Sequence, residues 1–141
     1  MSFVLLGILN SQASGEAFAS DFDLLETTTL ASDTASVTFS SLNSTYGSDY
    51  KHLQIRGVFR TTRATASNDI VNVQFNGATS SDYFSHTLLG NGSSVNSGDE
   101  VNDTSMRLFR SSASDSTSNN FGAGVLDILD PFETNKNTTF R

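Results

Sequence analysis

The chain has 141 residues and a formal net charge of −7, from 15 acidic and 8 basic side chains. It has no Cys, which excludes disulfides and thiolate metal sites, and its dispersed bases argue against a surface that neutralises nucleic-acid phosphates. Only 16% of residues are charged while Phe numbers 11, so the polarity rests on hydroxyls and amides, unlike a charge-rich disordered chain.

The apolar opening, Met1–Leu9, is followed by Asn10-Ser11-Gln12. No Lys or Arg precedes Lys51, so the run lacks the positive leader of a secretory signal. A membrane span needs about 20 apolar residues, and this run offers fewer than half that number, so no membrane insertion is expected. It reads either as a strap over its own domain or as an assembly interface docked into another subunit. We take the second reading, with Phe3, Val4, Leu5, Leu6, Ile8 and Leu9 as the contact. Burying each such aliphatic side chain stabilises by about 1.5–3 kcal/mol. The small residues of 11–21 form a linker, which predicts an N-terminal anchoring segment and linker over 1–21 and a β-sandwich domain over 22–141.

Strand-like runs follow at 23–30, 35–41, 50–61, 69–76, 83–89, 104–110, 121–129 and 137–141. In Leu53–Arg60, Leu53, Ile55, Gly57 and Phe59 fall on one face and Gln54, Arg56, Val58 and Arg60 on the other. Val37 and Phe39 alternate with Ser36, Thr38 and Ser40, and Val71, Val73 and Phe75 with Asn72, Gln74 and Asn76. Turn-rich stretches separate the runs, and none carries a helical stripe. Short strands between turn signals predict an all-β fold, an antiparallel β-sandwich of jelly-roll type, preceded by the extended apolar segment. The loops at 61–68, 90–102 and 111–120 should face outward. The chain stops at Arg141 inside a strand candidate, so that strand is expected to complete a neighbour or the domain to continue.

The candidates for chemistry are weak. Asp82, Ser85 and His86 have the residue types of a hydrolase triad, but adjacent strand residues point apart. Gly90–Ser94 lacks the following helix and the Lys of a phosphate cradle. Asp99, Glu100, Asn102 and Asp103 cluster oxygen ligands without the spacing of a calcium loop. Asp127, Asp130 and Glu133 could serve glycoside hydrolysis only if they faced one another. His52, Gln54, Arg56, Val58 and Arg60, with Arg63 beyond, form a row that could grip an acidic neighbour or a glycan. His52 and His86 are too separated to suggest zinc. The glycosylation patterns at Asn43, Asn91, Asn102 and Asn137 are what an Asn- and Ser-rich chain produces by chance. No catalytic residue, cofactor or metal is assigned, and an enzyme is not expected.

Several stretches resemble, in the same order, virion structural proteins of tailed bacteriophages, particularly marine ones. They are Ser2–Ser14, Phe22–Phe39, Tyr50–Phe59, Val73–Gly77, Leu89–Ser94 and Gly122–Leu129. The family is commonly described as tail fibre or minor structural proteins. The resemblance implies a non-enzymatic component on the particle exterior, tail-associated, with other virion proteins as partners and a homo-oligomer, a trimer by preference. A capsid decoration protein is the structural alternative. A module binding host surface glycan is another, with Tyr46, Tyr50, Tyr83 or an exposed Phe as its platform.

Overall fold

The computed structural model of the protein describes residues 22–141, and the elements follow the turn signals. In chain order they are α1 (Leu42–Tyr46), β1 (His52–Phe59), β2 (Asn68–Val73), β3 (Tyr83–Gly90), β4 (Val95–Asp103), β5 (Met106–Ser112), β6 (Gly122–Leu129) and β7 (Thr139–Phe140). The chain divides into two compact units, 1–42 and 43–141. In the first unit, the described residues up to Ser41 contain neither helix nor strand. The predicted strands at 23–30 and 35–41 are therefore corrected. Alternation makes a segment compatible with a sheet, but a strand exists only where its main chain finds a ladder.

In the second unit the fold is all-β, with three antiparallel sheets: β1-β6-β7, β2-β5 and β3-β4. β1 and β6 match their apolar sets, with Leu53 opposite Ile128, Ile55 opposite Leu126 and Gly57 opposite Gly124. β7 adds to β6 with Phe140 opposite Ile128, and paired main-chain bonds between Asp127 and Arg141 extend that ladder. The alternation read in Leu53–Phe59 is thus the two faces of β1. The described ladders do not by themselves trace the two four-stranded sheets of a jelly roll.

β5 carries an irregularity that shapes the core. Val71 pairs with Phe109 and Asn72 with Arg107, so Leu108 is an extra residue on β5. Such a bulge resets which side chains face inward. It brings Met106 and Phe109, three residues apart, into one core. Buried Tyr83, Met106, Leu126 and Ile128 form the centre of that core. Leu53, Ile55, Val73, Phe75, Ala78, Leu108, Phe109 and Phe140 pack around it. Phe75 stacks on both Tyr83, at 6.5 Å, and Phe140, at 5.7 Å.

Two loops expected to face outward are tied down. Arg60 donates from Nη1 to the carbonyls of Thr117 and Asn120 and from Nη2 to that of Ser116. The 61–67 loop takes the other side: Ala113 N donates to Ser67 O, and Asp115 N to Ala66 O. Ser111 and Ala113 are buried as a result. The predicted loop at 90–102 is also corrected, because β4 starts at Val95. Only Asn91–Ser94 turns, held by the Asn91 carboxamide, which accepts from Ser93 N at 3.0 Å and Ser94 N at 2.8 Å. The register with β3 carries β4, whose polar residues show no apolar alternation.

Candidate functional site

Antiparallel pairing of β1 with β6 sets His52 opposite Leu129, so the residues entering β1 lie beside those leaving β6. That juxtaposition builds a concavity of about 110 Å³ lined by Asn43, Gly47, Tyr50, Lys51, Asp130, Phe132 and Glu133. One turn of helix shapes its near wall. Gly47 N donates to Asn43 O at 3.0 Å, and Tyr50 N to Tyr46 O at 3.1 Å. A β-carbon at Gly47 would sit 2.3 Å from Asn43 Oδ1 and 2.6 Å from Asn43 O, so only glycine fits. The Tyr46 and Tyr50 rings meet edge to face at 6.3 Å.

Asp130 forms the far wall at a left-handed turn, with φ of 49°. Its N–H donates to His52 Nδ1 at 3.2 Å, and its carboxylate pairs with Lys136. The hydrogen bond from Lys136 holds the Asp130 carboxyl below the usual range. Desolvation opposes this, and the charges of Lys136 and Lys51 add smaller pulls downward. A general acid for glycoside hydrolysis needs the opposite shift. The arrangement offers two aromatic rings, an amide, two carboxylates and an ammonium, which can recognise hydroxyl-rich ligands. Its volume is below the roughly 300–1,000 Å³ of small-molecule pockets.

The other nominated residues are dispersed. Asp127 accepts from Gln54 Nε2 at 2.6 Å and pairs with Arg141 at 3.5 Å, so it does not join Asp130 and Glu133 in the concavity. The polar row along β1 is occupied by its own chain. Arg56 donates to Gln54, Arg60 clamps the 116–120 carbonyls, and Arg63 pairs with Asp69 at 3.1 Å. The Ile70 main-chain N–H, with help from Arg63, holds the Asp69 carboxyl low. Tyr83, nominated as a glycan platform, is buried: its hydroxyl accepts from Phe75 N at 2.8 Å and donates to Ala78 O at 3.2 Å.

Ser85 and His86 project from opposite faces of β3, opposite Glu100 and Asp99 respectively. Asp99 and Glu100 likewise diverge, and Glu100 pairs with Arg107 at 2.9 Å. Among the described residues no three His, Asp or Glu side chains converge as a metal site. No helix among them is long and apolar enough to cross a membrane. The nominated assembly contact, Phe3, Val4, Leu5, Leu6, Ile8 and Leu9, lies outside the described residues. Sequence reasoning missed Asn43, Gly47, Lys51 and Phe132 as wall residues, and missed Lys136 as the partner of Asp130. No local pattern marks them, because only the register of β1 on β6 brings them together.

No protein-family model, curated protein or solved structure matches the chain.

Proposed function

We propose that the protein is a non-enzymatic structural component of a bacteriophage virion, carried on the particle exterior in the tail or its fibres. The observation that carries the reading is the ordered run of segments, from Ser2–Ser14 to Gly122–Leu129, that resembles tailed-phage virion proteins. The antiparallel all-β fold supports it, as does a surface whose polarity comes from hydroxyls and amides. In this reading the β-domain is a jelly-roll-like sandwich. Met1–Leu9, through Phe3, Val4, Leu5, Leu6, Ile8 and Leu9, docks onto other virion proteins or neighbouring copies in a homo-oligomer.

Deleting residues 2–9 tests it. Purified particles should lack the shortened protein, while its far-UV circular dichroism in isolation stays that of a β-protein. Incorporation at the normal level sinks the anchor. Stoichiometry on the particle separates a tail component from a decoration protein, whose number follows that of the capsid subunits.

A second reading, a module binding host surface glycan, is favoured by Tyr50 standing beside Asn43, Lys51, Asp130 and Glu133 in one concavity. Carbohydrate sites combine an aromatic face with a few polar groups that fix orientation. A saturable change in Tyr fluorescence on adding host polysaccharide, absent in Tyr50→Ala, supports it. An unresponsive protein removes it.

A further inference from the structure

The β3-β4 hairpin has two unlike faces. Tyr83 and Glu100 turn toward the rest of the unit, Tyr83 into the core and Glu100 to Arg107. The opposite face carries Phe84, His86 and Leu88 from β3, and Val95, Ser97, Asp99 and Val101 from β4. In register, His86 stands across from Asp99, Leu88 from Ser97 and Gly90 from Val95. Phe84 is 60% exposed, Leu88 78%, Val95 71% and Val101 58%. Scattered exposed apolar residues are ordinary, but four on one face of one hairpin form a patch. Among the described residues no third strand flanks this hairpin, and a lone two-stranded hairpin is marginal in water.

We propose that this face is the contact between two copies of the chain, packed face to face about a two-fold axis. The pattern along the hairpin is apolar, polar, apolar: Phe84 beside Val101 where the register shifts, then His86 with Asp99, then Leu88 with Val95 one step beyond. A two-fold axis running along the strands between β3 and β4 lays β3 of one copy over β4 of the other. Phe84 then meets the partner's Val101, His86 meets the partner's Asp99, and Leu88 reaches toward the partner's Val95. The same patch is used on both sides, as an isologous contact requires. Each imidazole faces a carboxylate rather than another imidazole.

Size agrees with this occupant. Phe84, Leu88, Val95 and Val101 are each more than half exposed, and a two-fold contact removes all four from water on both copies at once, as a small interface of this kind requires. Pairing of two β4 edges is the competing geometry. It would align Asp99, Glu100 and Asp103 of both copies, and like charges placed together disfavour it. The inference goes beyond the virion reading and does not rest on it.

The test is sedimentation equilibrium of the full chain across a concentration series. A reversible dimer is expected, with dissociation on the order of 10 μM, as a small interface implies. Leu88→Asp and Val101→Asp should each weaken this two-fold association at least tenfold. Val58→Asp should leave the dimer intact, since Val58 is comparably exposed (56%) but lies on the outer face of β1. His86→Asp should weaken the dimer at least tenfold, and adding Asp99→His to it should restore association, because the carboxylate then meets the partner's imidazole. A monomeric native chain overturns the proposal, as does self-association of unchanged strength in Leu88→Asp or a charge exchange that restores nothing.

Discussion

Gly57 and Gly124 stand opposite each other across the β1–β6 ladder, and aromatic rings fill the space where their side chains would be. A β-carbon on Gly57 would lie 2.0 Å from Phe59 Cζ, and one on Gly124 would lie 2.0 Å from Phe109 Cδ1. The two rings stack on each other at 5.5 Å with 26° between their planes. Glycine ordinarily weakens a strand unless another group approaches closely. Here the pair opens a shallow seat that lets β5 lie close on β6. The same closeness shows at Gly122, whose β-carbon would fall 2.4 Å from Arg110 O.

Gly124→Ala should therefore destabilise the protein by about 1–3 kcal/mol, the usual cost of forcing atoms into a filled core. Gly98→Ala is the control, since nothing lies within 4 Å of its β-carbon, and it should stay within about 0.5 kcal/mol of the native chain. Urea denaturation of both variants measures the difference. Equal midpoints would mean that Phe109 moves aside freely and that the seat is not structural.

Tyr83 binds the 75–78 loop to the core through one oxygen. Tyr83→Phe removes the acceptor for Phe75 N–H and the donor to Ala78 O while leaving the ring in place. The expected cost is about 1–3 kcal/mol, that of a part-buried main-chain donor left unpaired. Amide exchange gives the site-specific reading: Phe75 N–H should lose protection more than the amides of β6 do. Protection lost equally everywhere would instead report a general loss of packing.

How much of this was legible depended on where the deciding information lies. The faces of β1 could be read from Leu53, Ile55 and Phe59, because a strand covered on one side imposes a period of two. The bulge at Leu108 could not, because it puts Met106 and Phe109 on one side at an odd spacing that strict alternation rejects. β4 escaped for a different reason: only Val95 and Val101 are apolar in it, and its conformation comes from main-chain pairing with β3. Val37 and Phe39 show the converse, alternation with no strand among the described residues. The concavity was least legible of all. Tyr50 and Glu133 are far apart in sequence, and pairing across that distance leaves no local mark. Asp130 and Glu133 are singled out together as carboxylates and Tyr50 separately as an aromatic platform, with nothing in the sequence that links the two.

Arg60 should prove a structural clamp rather than a binding residue. Its guanidinium presents donors in a planar fork, and three carbonyls of the 116–120 loop accept from it. A lysine keeps the charge but not the fork. Arg60→Lys should leave the β-ladders intact while exposing the 113–120 loop to limited proteolysis and to faster amide exchange. A loop protected as well in Arg60→Lys as in the native chain would show that the contacts to Ser67 and Ala66 hold it alone.

The Lys136–Asp130 pair makes a prediction about pH with a definite sign. The folded Asp130 carboxyl titrates below its ordinary value of 3.8, chiefly because Lys136 donates to it. A depressed carboxyl favours the fold wherever it is ionised in both states, above the ordinary value, and that contribution is lost as pH falls through the folded pKa. The native chain should therefore unfold at a higher temperature than Lys136→Gln near neutral pH. The gap should close on the acid side of 3.8 and vanish once the carboxyl is protonated in both proteins. Added salt should narrow the gap at neutral pH, because the pair is exposed and screened. A gap of constant size through the acid range would assign the effect of Lys136 to packing of its methylene stem.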